Sequence, residues 1–260
     1  MTTTRSGANE TLLASIVSIR QSGVRSINIA NDIEAAPVAE GYVLTDQACS
    51  VLGRMMKRLN GDFTTRAWTL TGPYGSGKSY FGLYLMNLLG TSLPSHTKAN
   101  AQLKNEDSTL ANDIRRIAKL DKTQGFLPIP IVGRRTSIEM CIKQGVLSAF
   151  QPYVDQPEVK SLINQYGENG TNIEGLLEGS HRLAIELNYQ GTVLILDEMG
   201  KLLEHAAAHP NTIDVYTFQQ IAEFANRSGE NPFVFIGILH QSFERYAGRL
   251  DATTQREWSK

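Results

Sequence analysis

The chain has 260 residues, 25 Lys plus Arg against 26 Asp plus Glu, and 41% apolar side chains. This composition excludes a disordered or collagen-like chain. A net charge of −1 provides no bulk attraction to nucleic acid or to an anionic membrane.

In chain order, residues 1–66 read as an N-terminal extension packed on a core. Within it, Ile27–Ile29 is a candidate short strand. Residues 46–59 form an amphipathic helix with Ala48, Val51, Leu52 and Met55 on one face. Residues 67–260 form the core. Four short runs, Ala67–Thr71, Phe126–Val132, 192–196 and Phe233–Leu239, are apolar throughout rather than alternating, the pattern of strands buried on both faces of a parallel sheet. Helical patterns lie between them, over 79–89, 136–150, 158–166, 173–187 and 215–226. The polar stretch 91–108 reads as a loop or a solvated helix, and GENGT at 167–171 and HPN at 209–211 read as turns. Strands alternating with helices predict an α/β fold, a three-layer α/β/α sandwich around a mainly parallel sheet.

The sharpest local signal is Gly72-Pro73-Tyr74-Gly75-Ser76-Gly77-Lys78-Ser79, which matches G-x-x-x-x-G-K-[ST]. Glycines let a loop aim several backbone N–H groups at phosphate oxygens, and the helix that follows adds the partial positive charge of its N-terminus. Residues 72–79, together with Tyr80, are the expected nucleotide contacts. Lys78 is placed on the β- and γ-phosphates and Ser79 on Mg²⁺. Further on, Val193-Leu194-Ile195-Leu196 runs into Asp197-Glu198. A buried strand ending there holds Asp197 at the sheet's carboxyl edge, where ligands bind in open α/β sheets. Asp197 suits a Mg²⁺ contact, and Glu198 suits a base that polarises water for attack on the γ-phosphate. The run Phe233–Leu239 turns abruptly polar at His240-Gln241. Beside the Asp197 strand, either residue could orient that water or sense the γ-phosphate. The remaining histidines, His96, His181, His205 and His209, lack metal-ligand spacing. Cys49 and Cys141 are too few for a disulfide framework or a four-ligand zinc site and read as buried thiols.

On these residues the chain resembles the additional-strand, catalytic-Glu branch of P-loop ATPases, most closely the AAA+ and STAND-like group, over residues 40–245. The resemblance implies a sheet order of 5-1-4-3-2, of which the four runs are the first four strands. It also implies that Gly72, Gly77, Lys78 and Ser79 are Walker A, that Asp197 and Glu198 are Walker B, and that His240 or Gln241 is the sensor-1 residue. Gly41-Tyr42-Val43-Leu44 stands where such proteins pack a segment on adenine. More narrowly, GPYGSGKSYF, ILDEMGK and ILHQSFERYA resemble large bacterial ATPases of phage-defence gene clusters of the BREX kind.

The AAA+ fifth strand and helical lid have no counterpart after Leu239, where residues 243–260 read as a polar helix. The chain is therefore expected to be a fragment of a longer protein, or Ile27–Ile29 supplies the missing edge strand. Arg245, Arg249 and Arg256 are candidate arginine fingers, and Arg134-Arg135 could touch a phosphate or a partner.

Three functions compete. The first is a Mg-ATP-hydrolysing motor or switch that depends on Lys78 and Glu198. The second is an ABC- or SMC-like ATPase head. For it, Leu177-Glu178-Gly179-Ser180-His181 resembles the signature motif and His240 the switch histidine, but the second glycine is missing and Met199 stands where proline is usual. The third is a scaffold that binds ATP and hydrolyses it barely. Expected partners are ATP and further subunits, as a homo-oligomer or larger complex. Nucleic acid is left open without support from the net charge. No apolar run approaches the roughly 18 residues of a membrane helix, and no signal-peptide core is visible, so the expected location is the cytoplasm.

Overall fold

Among the described residues a parallel sheet is built from β1 (Ala67–Thr71), β2 (Phe126–Val132), β3 (Gly191–Asp197) and β4 (Phe233–Leu239), in the spatial order β1-β4-β3-β2. The structure is a computed structural model and describes residues 27–34, 41–61, 65–167, 172–209, 215–242 and 245–246. Strands β3 and β4 are buried at every residue, as their unbroken apolar runs require. β1 is partly exposed, because among the described residues it has a neighbour on one side only. At the other edge, the Gly125 carbonyl accepts from Gln190 N and Gly133 N donates to the Asp197 carbonyl. By alternation Pro128 and Pro130 face outward, where a missing N–H breaks no ladder bond.

Alternate residues of the central strands feed two apolar layers. Leu194, Leu196, Phe235 and Leu239 pack with α6 (Ile138–Ala149), α7 (Pro157–Gly167), α8 (Ile173–Glu186), α9 (Met199–Ala208) and α10 (Tyr216–Arg227). Val193, Ile195, Ile236 and Ile238 pack on the opposite face with α2 (Asp46–Gly61), α3 (Lys78–Leu89), α4 (His96–Glu106) and α5 (Ser108–Ile117). The sheet thus lies between two helical layers. Helix α3 is buried almost all round, from Phe81 to Leu89.

Several expectations change. Ile27–Ile29 is not a strand, because the chain turns there into the short helix α1 (Ile29–Asp32). Asn28 Oδ1 accepts from Asn31 N at 3.2 Å and Asp32 Oδ2 accepts from Asn28 N at 2.9 Å, a reciprocal pair that closes a helical turn. Of the two readings of 91–108, loop or solvated helix, the helix holds over His96–Glu106, but it is not fully solvated. Ala99 and Leu103 bury one face of α4, and Asp107 caps α5 by accepting from Leu110 N at 2.9 Å. Helices α5 and α9 escaped the sequence reading, although Met199, Leu202, Leu203 and Ala206 recur at helical spacing. Cys141 is buried as expected, whereas Cys49 is half-buried. Most of the turns expected at 167–171 and 209–211, and of the polar helix at 243–260, lies outside the described residues. No helix among the described residues is long and apolar enough to cross a membrane.

His181 illustrates how the layer of α6 to α10 is locked. Its ring meets Phe224 and Phe233 edge-on, with Nδ1 3.0 Å from Thr192 Oγ1 and Nε2 3.0 Å from the Asn231 carbonyl. Burial lowers its pKa below the ordinary value, only partly offset by the Asn231 bond. The unfolded chain therefore takes up this proton first as pH falls. The stabilisation is complete above the unfolded pKa of about 6.5 and shrinks as pH drops through that value. In urea titrations followed by circular dichroism, the midpoint of the wild type is expected to fall between pH 7.5 and 5 by more than that of His181→Gln.

Candidate functional site

Parallel pairing carries β1, β3 and β4 to a common carboxyl edge, and the sequence-predicted residues converge there. Gly72 N donates to the Leu239 carbonyl at 3.3 Å, tying the loop after β1 to the end of β4. Gly75 and Gly77 take φ of +76° and +81°, conformations that a side chain disfavours. Gly77 is the N-cap of α3 and offers no side chain to its first N–H groups, which leaves those donors for a ligand. Lys78 Nζ donates to the carbonyls of Gly72 at 2.6 Å and Pro73 at 2.8 Å, and lies 3.2 Å from Ser76 Oγ. Burial lowers the Lys78 pKa, while Asp197 and Glu198 pull it back up.

Asp197 is 3% exposed, and its burial raises its pKa. Hydrogen bonds from Ser79 and from the Glu198 N–H, the latter 2.8 Å from Oδ1, act in the opposite direction. Ser79 and Asp197 are hard oxygen donors already in contact, a set that fits Mg²⁺. Among the described residues no cluster of three or more His, Cys, Asp or Glu could hold an ion by itself. An ion on Ser79 and Asp197 would take its other ligands from phosphate and water, as Mg²⁺ ordinarily does.

Glu198 opens α9 in a left-handed conformation, φ +54° and ψ +31°, rare for a residue with a side chain. Its Oε2 lies 3.4 Å from His240 Nε2 and 3.4 Å from Lys201 Nζ. Of His240 and Gln241, it is His240 that meets Glu198. Tyr246 is buried beneath, against Gly200, and its hydroxyl oxygen accepts backbone N–H groups of His240 and Gln241.

A cavity of about 740 Å³, well within the range of small-molecule sites, opens beside the loop. Gly72, Pro73, Gly75, Ser76, Gly77, Lys78 and Tyr80 line it. Two residues expected among the nucleotide contacts do not. Ser79 turns to Asp197, and the Tyr74 ring lies flat on the His240 imidazole. The far wall is Tyr42, Val43, Thr45, Gln47, Val51 and Arg54. Tyr42 stacks on Tyr84 at 4.6 Å and meets Tyr80 at 5.4 Å, and its carbonyl accepts from Gln102 Nε2 at 2.9 Å. Burial, with Cys49 nearby, pushes the Tyr42 pKa up to about 12. Gln47 and Arg54 were not singled out from sequence. Nothing in a polar helix face signals which cavity it borders.

Other expectations separate from the site. Leu177 to His181 lies inside α8, and His181 bonds Thr192, at the opposite end of β3 from Asp197. Arg135 pairs with Glu204 at 3.5 Å, both exposed. Arg245 is exposed, and Arg249 and Arg256 lie outside the described residues. His205 and His209 meet with ring centroids 4.4 Å apart and planes tilted by 46°.

No protein-family model matches the chain, and no curated protein or solved structure matches it either.

The turn after β2 presses on this site. Gly133 N donates to the Asp197 carbonyl at 2.7 Å, and a Cβ at Gly133 would collide with the Glu198 carbonyl oxygen. Gly133→Ala is expected to cost about 2 kcal/mol, a typical penalty for overpacking against backbone. Urea denaturation monitored by tryptophan fluorescence reads that loss directly.

Proposed function

We propose that the chain binds Mg-ATP and hydrolyses its β–γ phosphoanhydride bond, as a motor or switch module of the AAA+ and STAND-like kind. The observation that carries this reading is the convergence, beside one cavity, of the Lys78 loop, the Ser79–Asp197 pair and the Glu198–His240 contact. The strand order β1-β4-β3-β2 supports it, since it equals 5-1-4-3-2 without the fifth strand.

On this reading, Lys78 exchanges its loop carbonyls for β- and γ-phosphate oxygens, joined by the open N–H groups of the loop and the α3 N-terminus. Ser79 and Asp197 hold Mg²⁺, which would neutralise charge on the β- and γ-oxygens. Glu198 accepts a proton from the attacking water, with His240 flanking it. The adenine packs on the wall formed by Tyr42 and Val43. Adenine is preferred over guanine on the family likeness and on the lack of an N-K-x-D motif.

The proposed setting is a homo-oligomer or larger complex, because in this class an arginine finger is often supplied in trans. A role in bacterial phage defence and a cytoplasmic location complete the proposal. The scaffold reading draws on Lys201, whose Nζ lies 3.4 Å from Glu198 Oε2 and competes with an attacking water for that carboxylate.

The deciding measurement is Mg²⁺-dependent ATP turnover at increasing protein concentration. Glu198→Gln is expected to keep ATP binding and to lose about 10²–10⁴-fold in kcat, the usual worth of a positioned base. Lys78→Ala is expected to lose binding as well. ATP bound tightly by the wild type without turnover would favour the scaffold instead.

A further inference from the structure

We infer that Tyr74 is a positioning residue for Glu198, acting through His240; the inference rests on the hydrolytic reading above. Tyr74 sits between Pro73 and Gly75 on the tight outer bend of the phosphate loop and is 75% exposed. An exposed loop aromatic is expected to point into solvent or toward the nucleotide. This one leaves one face in solvent and packs the other on a neighbour. The residues on either side of it line the cavity and Tyr74 does not. Its ring crosses to the end of β4 and lies on the His240 imidazole, with centroids 3.6 Å apart and planes 19° from parallel.

Among the described residues the imidazole has little else to orient it. Both ring nitrogens are buried, and among those residues neither has a hydrogen-bond partner of acceptable geometry. Nε2 is within ion-pair range of Glu198 Oε2, at 3.4 Å, but off the alignment of a hydrogen bond. The ring is thus held between two surfaces, the Tyr74 face and the Glu198 carboxylate. Glu198 is in turn shared between His240 and Lys201. The phosphate loop and the proposed base are therefore in mechanical contact through two side chains. Rearrangement of the loop backbone around phosphates shifts Tyr74, and with it the surface against which His240 and Glu198 rest. Aromatic stacking fits this role because it fixes a plane without fixing a proton.

The test compares wild type, Tyr74→Ala, Tyr74→Phe, His240→Ala and the double variant, by steady-state ATP hydrolysis and by equilibrium ATP binding. Tyr74→Ala is expected to lower kcat by about tenfold or more, with the ATP Kd held within about threefold, the signature of an interaction that serves the reacting geometry rather than binding. Tyr74→Phe is expected to recover most of that loss. The double variant should be no slower than His240→Ala alone, because the two residues act in series. A rise in KM at constant kcat would make Tyr74 a nucleotide contact and overturn the inference, as would fully additive losses.

Histidine-labelled NMR provides a second readout that needs no turnover. The His240 ring protons should be shifted upfield in wild type and Tyr74→Phe, and should lose that shift in Tyr74→Ala. An unshifted wild-type resonance overturns the stack. Wild type that binds ATP without turnover overturns the hydrolytic reading and this inference together. A kcat unchanged in Tyr74→Ala overturns this inference alone.

Discussion

Everything at this site depends on the parallel pairing of β3 with β4. The two strands run in register from Thr192 opposite Phe233 to Leu196 opposite Gly237, and every residue of both is buried. Burial of this kind is worth roughly 1.5–3 kcal/mol for each large apolar side chain, so the register resists slippage. Because the strands are parallel, their apolar runs end at the same edge. Asp197-Glu198 and His240 are thereby brought together, and β1 on the far side of β4 delivers the glycine-rich loop of residues 72–79 to the same place. Gly237 completes the fit, since Met199 Sδ fills the space where its Cβ would stand.

Around this frame the polar groups form a graded set. Asp197 is buried, bonded to Ser79 and to the Glu198 N–H, and held at its carbonyl by Gly133. Lys78 is bonded to loop carbonyls that move with the loop. Glu198 is partly exposed and touched from two sides, by Lys201 and His240. Groups bonded to the frame are the ones suited to holding a cation. Groups bonded to the loop or to each other are the ones that can change partners when charge arrives.

Most of the fold was legible in the chain. Unbroken apolar runs such as 193–196 and Phe233–Leu239 mark strands buried on both faces, and the fully apolar helix after Lys78 marks a helix buried between layers. The polar edge of the fold was less legible. Residues 96–117 carry too few apolar positions to stand out, yet Ala99, Leu103, Leu110 and Ile114 suffice once α2 and α3 offer a surface. Ile27–Ile29 has strand-like side chains, and the Asn28–Asp32 capping pair overrides them.

The sequence by itself determined the loop that turns back on its glycines, the lysine and serine that follow, and the two carboxylates that end an apolar strand. Local chemistry suffices for these, because backbone conformation, helix start and strand end depend on near neighbours. Only the tertiary structure decided which of His240 and Gln241 meets Glu198, that Tyr74 leaves the cavity to stack on that histidine, and that Gln47 and Arg54 border the cavity from α2. Those outcomes depend on which strand ends become neighbours and how far one side chain reaches toward another, and no pattern along the chain encodes such distances.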